Sequence, residues 1–288
     1  MIKAGVYGAQ GDIAAALIKT LVFHPDVNLT WVMDQNPPRP LNVTYRSLTG
    51  DTSLITTQEL PSLDEVDVVF IAAEPRPPFV VNELPETVKI IDLTGIYRFD
   101  EQFTYGLPEI NRKFMVHDCF KVACPSDVAN VIELALLPLA KNLMVNSNVT
   151  ATATSSQDFN TSRIELEIQR LVGGVQNSFN NNVHIERIGS SHDIVAVVRL
   201  RCNTALDVVE SIYNDYFDDH NFTFIIDTTP QAQDVRGTNK CLMHLQRDND
   251  ELVVTAAIDP VLKGAVGTAV HCMNLMFGLH ERVGLETF

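Results

Sequence analysis

Basic residues are scarce in this chain relative to acidic ones: 21 Lys and Arg stand against 36 Asp and Glu over 288 residues, a formal net charge of −15. A surface that acidic excludes nucleic acid and anionic membrane as partners, since both require a basic face. Long apolar runs are missing too, and no stretch reaches the length of a membrane span. The N-terminus passes directly into a strand pattern with no signal-peptide signature, so the expectation is a cytoplasmic protein. Five cysteines at irregular spacing form neither a disulfide framework nor a zinc set, and are expected to be reduced thiols with no metal bound. The Asn-x-Ser/Thr triplets at Asn28, Asn42, Asn148, Asn160 and Asn221 carry no weight without secretion. Aromatic residues are sparse at 7%, yet 45% of the chain is apolar, enough for two domains around separate cores.

The chain opens on an apolar strand, Ile2 to Tyr7, then the spacing Gly5-x-x-Gly8-x-x-Gly11, then a helical run from Ile13 to Phe23. That order makes a dinucleotide-binding turn, because glycine alone lets backbone approach a pyrophosphate at a helix N-terminus. Gly5, Gly8, Ala9, Gln10 and Gly11 are therefore candidate cofactor residues; a merely glycine-tightened strand-to-helix turn is the other reading. The charge of Asp12, next to the last glycine, counts against a phosphate there. A second strand, Asn28 to Met33, ends at Asp34, about twenty residues on, where a carboxylate would accept from ribose hydroxyls. It would also repel a 2′-phosphate, which favours NAD over NADP, while Arg39 nearby could reverse the preference. Asp34 also fits an ordinary turn before Pro37 and Pro38.

Glu65 to Ala73 and Val88 to Leu93 are near-continuous apolar runs, as in parallel strands covered on both faces. Between them, Pro75 to Pro78 reads as an extended loop at a strand end where ligands bind. Lys121 to Ala123 is another strand, stopped by Pro125, and Ser126 or Asp127 is placed to cap the next helix. In that helix Val128, Val131, Ile132, Ala135, Leu136 and Leu139 recur at helical spacing. The pattern then changes: strands over Asn148 to Thr154 and Val183 to Arg201, a helix over Ala205 to Phe217, and a strand pair, Lys240 to Leu245 and Glu251 to Ile258, turning at 248–250. A long apolar helix opened by glycines, Lys263 to Gly278, closes the chain. The expected fold class is α/β: a Rossmann-type doubly wound parallel sheet over 1–126 plus 263–288, with a second α+β domain over 127–262.

Several stretches together resemble N-acetyl-γ-glutamyl-phosphate reductase, the arginine-biosynthesis member of the semialdehyde dehydrogenase superfamily. They are Gly5 to Gly11, Ile90 to Thr94 with Tyr97 and Arg98, Tyr105 to Arg112 (Tyr-Gly-Leu-Pro-Glu-Ile-Asn-Arg), Ile132 to Ala140, Thr238 to Leu245, and Leu262 to Leu279 with its Met-Asn-Leu-Met-Phe-Gly. The resemblance implies a second domain of the semialdehyde dehydrogenase type, oligomerisation through it, and a nicotinamide nucleotide held by the glycine turn, Gly264 and Asn274. It also implies a thioester route: a cysteine after Asn-Pro-Gly attacks an acyl phosphate, hydride reduces the thioester, and a histidine in His-x-His-x-Pro-Glu-Ile serves as acid and base.

Here the sequence departs from the family. Without gaps, Asn-Pro-Gly-Cys falls on Cys124, Pro125, Ser126 and Asp127, so aspartate takes the nucleophile's place. The histidine segment falls on Ser162 to Ile168 and puts Ile164 at the histidine; the glycine-rich stretch before it is reduced to Ser155 to Asn160. Cys272 stands where asparagine is usual near the nicotinamide. Cys124 precedes the proline and is expected to be a buried structural thiol, while His184 and His192 are expected as structural residues of strands. The resemblance makes Arg98 a candidate holder of an anionic substrate. Three functions follow as expectations. The first is a diverged member that binds NAD or NADP without reductive dephosphorylation, as a homo-oligomer or a non-catalytic partner of a related reductase. The second is an oxidoreductase using non-covalent hydride transfer to a ketone, imine or aldehyde, with Asp127 and Arg98 or Glu109 as acid and polarising group. The third is a working reductase with Cys124 displaced into the nucleophile's role.

Overall fold

A computed structural model describes residues 1–75 and 85–285. The chain divides into two compact units, one of Met1–Pro125 joined by the chain from Ala265, the other of Ser126–Gly264. Residues 76–78 of the expected proline loop lie outside the described residues.

The first unit is a six-stranded parallel sheet in the order β2-β1-β3-β4-β6-β5. Its strands are β1 (Ile2–Tyr7), β2 (Val27–Met33), β3 (Val68–Ile71), β4 (Lys89–Asp92), β5 (Thr104–Tyr105) and β6 (Lys121–Ala123). The strands β1, β3 and β4 are almost wholly buried, which is why their sequences run apolar without alternation. The expected strand from Glu65 is shorter, because Leu63–Glu65 forms a 3-10 turn that precedes β3. Helix α1 (Gly11–Phe23) buries Ala14, Leu17, Ile18 and Leu21. A four-residue helix, α2 (Leu41–Thr44), lies in the loop after β2, and α3 (Pro108–His117) starts on a proline that gives up no needed N–H. The final helix begins as a π-helical turn over Leu262–Val266 and continues as α8 (Gly267–Met276), buried along its whole length. It packs on α3 and touches β4.

The second unit is a mixed sheet in the order β10-β11-β12-β9-β7-β8. Its strands are β7 (Val149–Ala153), β8 (Val183–Arg187), β9 (Ile194–Arg201), β10 (Thr223–Ile225), β11 (Cys241–Asp248) and β12 (Glu251–Ile258). The single strand expected over Val183 to Arg201 is two strands. Gly189, with φ of +62°, opens a turn between them, and both pair with β7 instead of with each other. His192 accordingly sits in the connecting loop and not in a strand. The β11–β12 hairpin turns on Asn249, at φ of +55°. Helix α4 (Asp127–Lys141) buries every residue from Val128 to Ala140 and packs against β9, β12 and α6 (Leu206–Phe217). Tyr213 of α6 donates its hydroxyl to the Ala135 carbonyl. Helix α5 (Thr161–Val175), whose Asn160 cap accepts from the Arg163 N–H, packs against α4 and β8. A short helix, α7 (Ala232–Val235), lies before β11.

Candidate functional site

In the first unit the chain passes from β1 to β2 on one side and to β3 on the other, the reversal of strand order at which open α/β sheets bind ligands. The glycine turn sits there. Gly8 (φ +100°) and Gly11 (φ +85°) hold left-handed conformations that favour glycine. A Cβ on Gly8 would come 2.4 Å from that of Ala73, after β3, whereas one on Gly11 would meet nothing within 4 Å. Gly5 has a different cause: a Cβ there would lie 2.3 Å from the Trp31 ring. It is a packing glycine, so of the three only Gly8 and Gly11 shape the turn. Tyr45 donates its hydroxyl to the Ala9 carbonyl, and burial pushes that phenol's pKa upward. Gln10 precedes α1 with no side-chain cap and reaches Asp34, with Nε2 3.0 Å from Oδ1. Asp34 is buried, its backbone N–H donating to Thr57 O, while Arg39 is exposed and spends its backbone N–H on Thr56 Oγ1.

At the end of β4, Asp92 is fully buried and accepts from Thr94 N (2.8 Å), Thr94 Oγ1 (2.5 Å), Gly95 N (3.1 Å) and Tyr97 N (3.2 Å). This winds the loop that carries Arg98. The guanidinium lies over Gly95, where a Cβ would be 2.6 Å from Nη2, and Nε donates to Cys124 O at 2.9 Å. Cys124 is 1% exposed, and Cys272, on α8, donates its thiol to Gly106 O at 3.6 Å. Burial and the neighbouring Cys124 thiol push the Cys272 pKa up, which leaves it protonated and unreactive. Asn274 is buried among protein partners: His24 Nε2 donates to its Oδ1 (3.1 Å), and its Nδ2 donates to Glu281 O (3.1 Å) and Val283 O (2.8 Å). Its amide thus ties down the segment after α8. Glu109 is buried on α3.

In the second unit the head of α4 is the centre. Ser126 is the cap residue by position, but its side chain makes no capping bond. Both its donors go to Glu167 of α5: the backbone N–H to Oε1 and the hydroxyl to Oε2, each at 2.9 Å. Asp127 Oδ1 accepts from the Val128 N–H at 2.8 Å. A helix N-terminus attracts anions; here two of the chain's own carboxylates take that role. Gly264 packs against this head, since a Cβ on it would stand 2.9 Å from that of Asp127. Asn130, fully buried one turn on, donates to Lys263 O at 3.0 Å. Asp259 holds the nearby loops, accepting from Gly237 N (2.8 Å) and from Val261 N and Leu262 N (both 2.9 Å). Two residues past Gly237, Asn239 is 4% exposed, and neither atom of its amide meets a hydrogen-bond partner among the described residues.

Ile164 is buried on α5 in the same stripe as Glu167, Ile168 and Val172. His184 is exposed on β8 with Nδ1 3.4 Å from Glu165 Oε1, and His192 Nδ1 lies 3.0 Å from Asp193 Oδ1. Glu167 was missed from sequence, although a signal existed: it is the lone acid on the apolar stripe of an amphipathic helix. Tyr45 gave none.

The family model for the semialdehyde dehydrogenase NAD-binding domain matches residues 3–117, and that for the semialdehyde dehydrogenase dimerisation domain matches residues 167–260. The chain is 38% identical to the N-acetyl-gamma-glutamyl-phosphate reductase of Parabacteroides distasonis and 36% identical to that of Phocaeicola vulgatus, over 99% of this chain and 98% of each relative. Each alignment runs over 318 positions against 288 residues here, so at least 30 of its positions are gaps in this chain. Among solved structures, aspartate semialdehyde dehydrogenase II from Vibrio cholerae superposes with a TM-score of 0.75 at 14% identity, covering 96% of this chain and 98% of that one. The aspartate semialdehyde dehydrogenase with NADP from Candida albicans gives 0.72 at 13%, covering 96% and 98%. At such identities the structures speak for the fold alone.

Proposed function

The chain belongs to the semialdehyde dehydrogenase family, among the N-acetyl-gamma-glutamyl-phosphate reductases, and from that membership we propose that it binds a nicotinamide dinucleotide but does not reduce an acyl phosphate through a thioester. The observation that carries this reading is the head of α4. The nucleophile's position holds Asp127, and the N–H beside it, with the neighbouring hydroxyl, is bound by Glu167. A thioester route needs a thiolate there and free donors for a developing oxyanion. Two carboxylates instead repel both an acyl phosphate and a thiolate. Cys124 does not restore the route, being buried at the end of β6 with its carbonyl held by Arg98.

The nucleotide is held by the backbone of the turn Gly8, Ala9, Gln10 and Gly11, with Asp34 as the ribose acceptor, and NAD is preferred over NADP because a 2′-phosphate would meet that carboxylate. Asn274 and Gly5 serve the fold. Arg98, fixed by Gly95 and Cys124 O, is the group for a small anionic ligand. A second copy, or a related reductase, docks through the second unit. Helix α4 packs on β9, whose Ile194, Ala196, Val198 and Leu200 are buried, while Val195 and Val197 on the strand's other face stay half-buried. The chain is then a nucleotide-binding, non-catalytic partner in its assembly.

The test is a titration of the purified chain with NADH and NADPH, followed by an assay for phosphate-dependent oxidation of N-acetylglutamate semialdehyde. Nucleotide binding without turnover is the expected result. Catalysed oxidation abolished by Cys124→Ser would replace this reading with that of a working reductase.

A further inference from the structure

The two oxygens of Asp34 are unequally used. Oδ1 accepts from Gln10 Nε2 (3.0 Å), Asn36 N (3.1 Å) and Asn36 Nδ2 (3.3 Å), while Oδ2 accepts nothing from the described residues. The two residues that donate to Oδ1 differ in kind. Asn36 is two residues away and closes a local turn of the Asx type. Gln10 comes from the glycine turn, where it is exposed, and its amide reaches the carboxylate across the path between that turn and the end of β2. The turn is held in register behind it by Tyr45 on Ala9 O and by Gly8 N on Met33 O at 3.1 Å.

A ribose diol grips a carboxylate best by donating one hydroxyl to each oxygen. We infer that Gln10 is a latch on the ribose acceptor: its amide N–H occupies the Oδ1 position that one of the two hydroxyls would take. With the latch closed, a diol keeps one hydrogen bond, to Oδ2; for a two-point grip the Gln10 side chain must swing away. A 2′-phosphorylated ribose has no diol and gains nothing from the opening. Gln10 is thereby a specificity-determining residue that narrows the difference between NADH and NADPH. This rests on the nucleotide-binding reading above.

The decisive experiment compares the parent chain and Gln10→Ala by fluorescence titration with NADH and NADPH, with a thermal melt of each. Gln10 is exposed and caps nothing, so the variant is expected to fold, with its melt lowered only by the loss of the Asp34 hydrogen bond. The latch predicts NADH binding tighter by about ten-fold, the worth of one hydrogen bond to a charged group, and NADPH binding changed by less than about two-fold on the same scale. Unchanged or weaker NADH binding in Gln10→Ala, or an equal gain for both nucleotides, overturns the latch and leaves nucleotide binding standing. If neither protein binds either nucleotide, the nucleotide-binding reading itself falls, and the latch with it.

Discussion

Glu167 reaches from the second turn of α5 to Ser126, accepting the backbone N–H at Oε1 and the hydroxyl at Oε2, both at 2.9 Å. The carboxylate is 2% exposed, and the bond joins the two helices at the head of α4. Glu167→Ala leaves two half-buried donors without their acceptor and is expected to lower stability by about 1–3 kcal/mol, while Glu167→Gln, which keeps one acceptor, costs about half of that. Urea unfolding of the two variants measures it. Equal midpoints for Glu167→Ala and the parent would show that the pair contributes nothing.

Much of the first unit was legible in sequence because its signals are local. Gly8 and Gly11 announce a left-handed turn, and the unbroken apolar runs at β3 and β4 announce strands covered on both faces. The second unit was less legible. Helix α5 went unseen because its apolar stripe is interrupted by Glu167, whose partner lies 41 positions away. Val183 to Arg201 alternates at both ends, and the break is carried by the short polar run from Gly189 to Asp193. In the candidate site the residue types were readable but their partners were not. Asn274 bonds to His24 across 250 positions, a pairing that no periodicity encodes.

His24 gives the first unit a pH dependence. Its Nδ1 accepts from the Asp26 N–H at 3.2 Å and its Nε2 donates to Asn274 Oδ1, so the ring is bound as the neutral tautomer. Burial lowers its pKa from 6.5. A folded pKa below the unfolded one means that the contribution to stability is full above pH 6.5 and declines as pH falls toward the folded value. The melting temperature should therefore drop as pH is taken below that window, and His24→Gln should flatten part of the slope. An identical pH profile for the variant would remove His24 from the account.

Gly5 and Gly11 should separate stability from binding. Gly5→Ala drives a methyl into Trp31, and overpacking of this kind costs about 1–3 kcal/mol. Nucleotide affinity of the folded protein should be unchanged. Gly11→Ala meets no neighbour, so its cost is the strain of φ at +85°, about 1–2 kcal/mol, but its methyl stands at the helix N-terminus where a pyrophosphate would approach. It should weaken nucleotide binding more than it lowers the melting temperature. The reverse ranking in paired melts and titrations would mean that no nucleotide uses this turn.

Asn239 offers the opposite kind of substitution. Its amide is buried beside β11 with both polar atoms unmatched by the described residues, and each such atom costs about 1–3 kcal/mol relative to its exposure to water. Leucine has a similar volume and no polar atom. Asn239→Leu is therefore expected to be neutral or stabilising by about 1 kcal/mol, an unusual result for a buried polar position. If urea unfolding instead shows a loss above about 1 kcal/mol, the amide has a partner in solution, an ordered water or a small ligand, that the substitution has displaced.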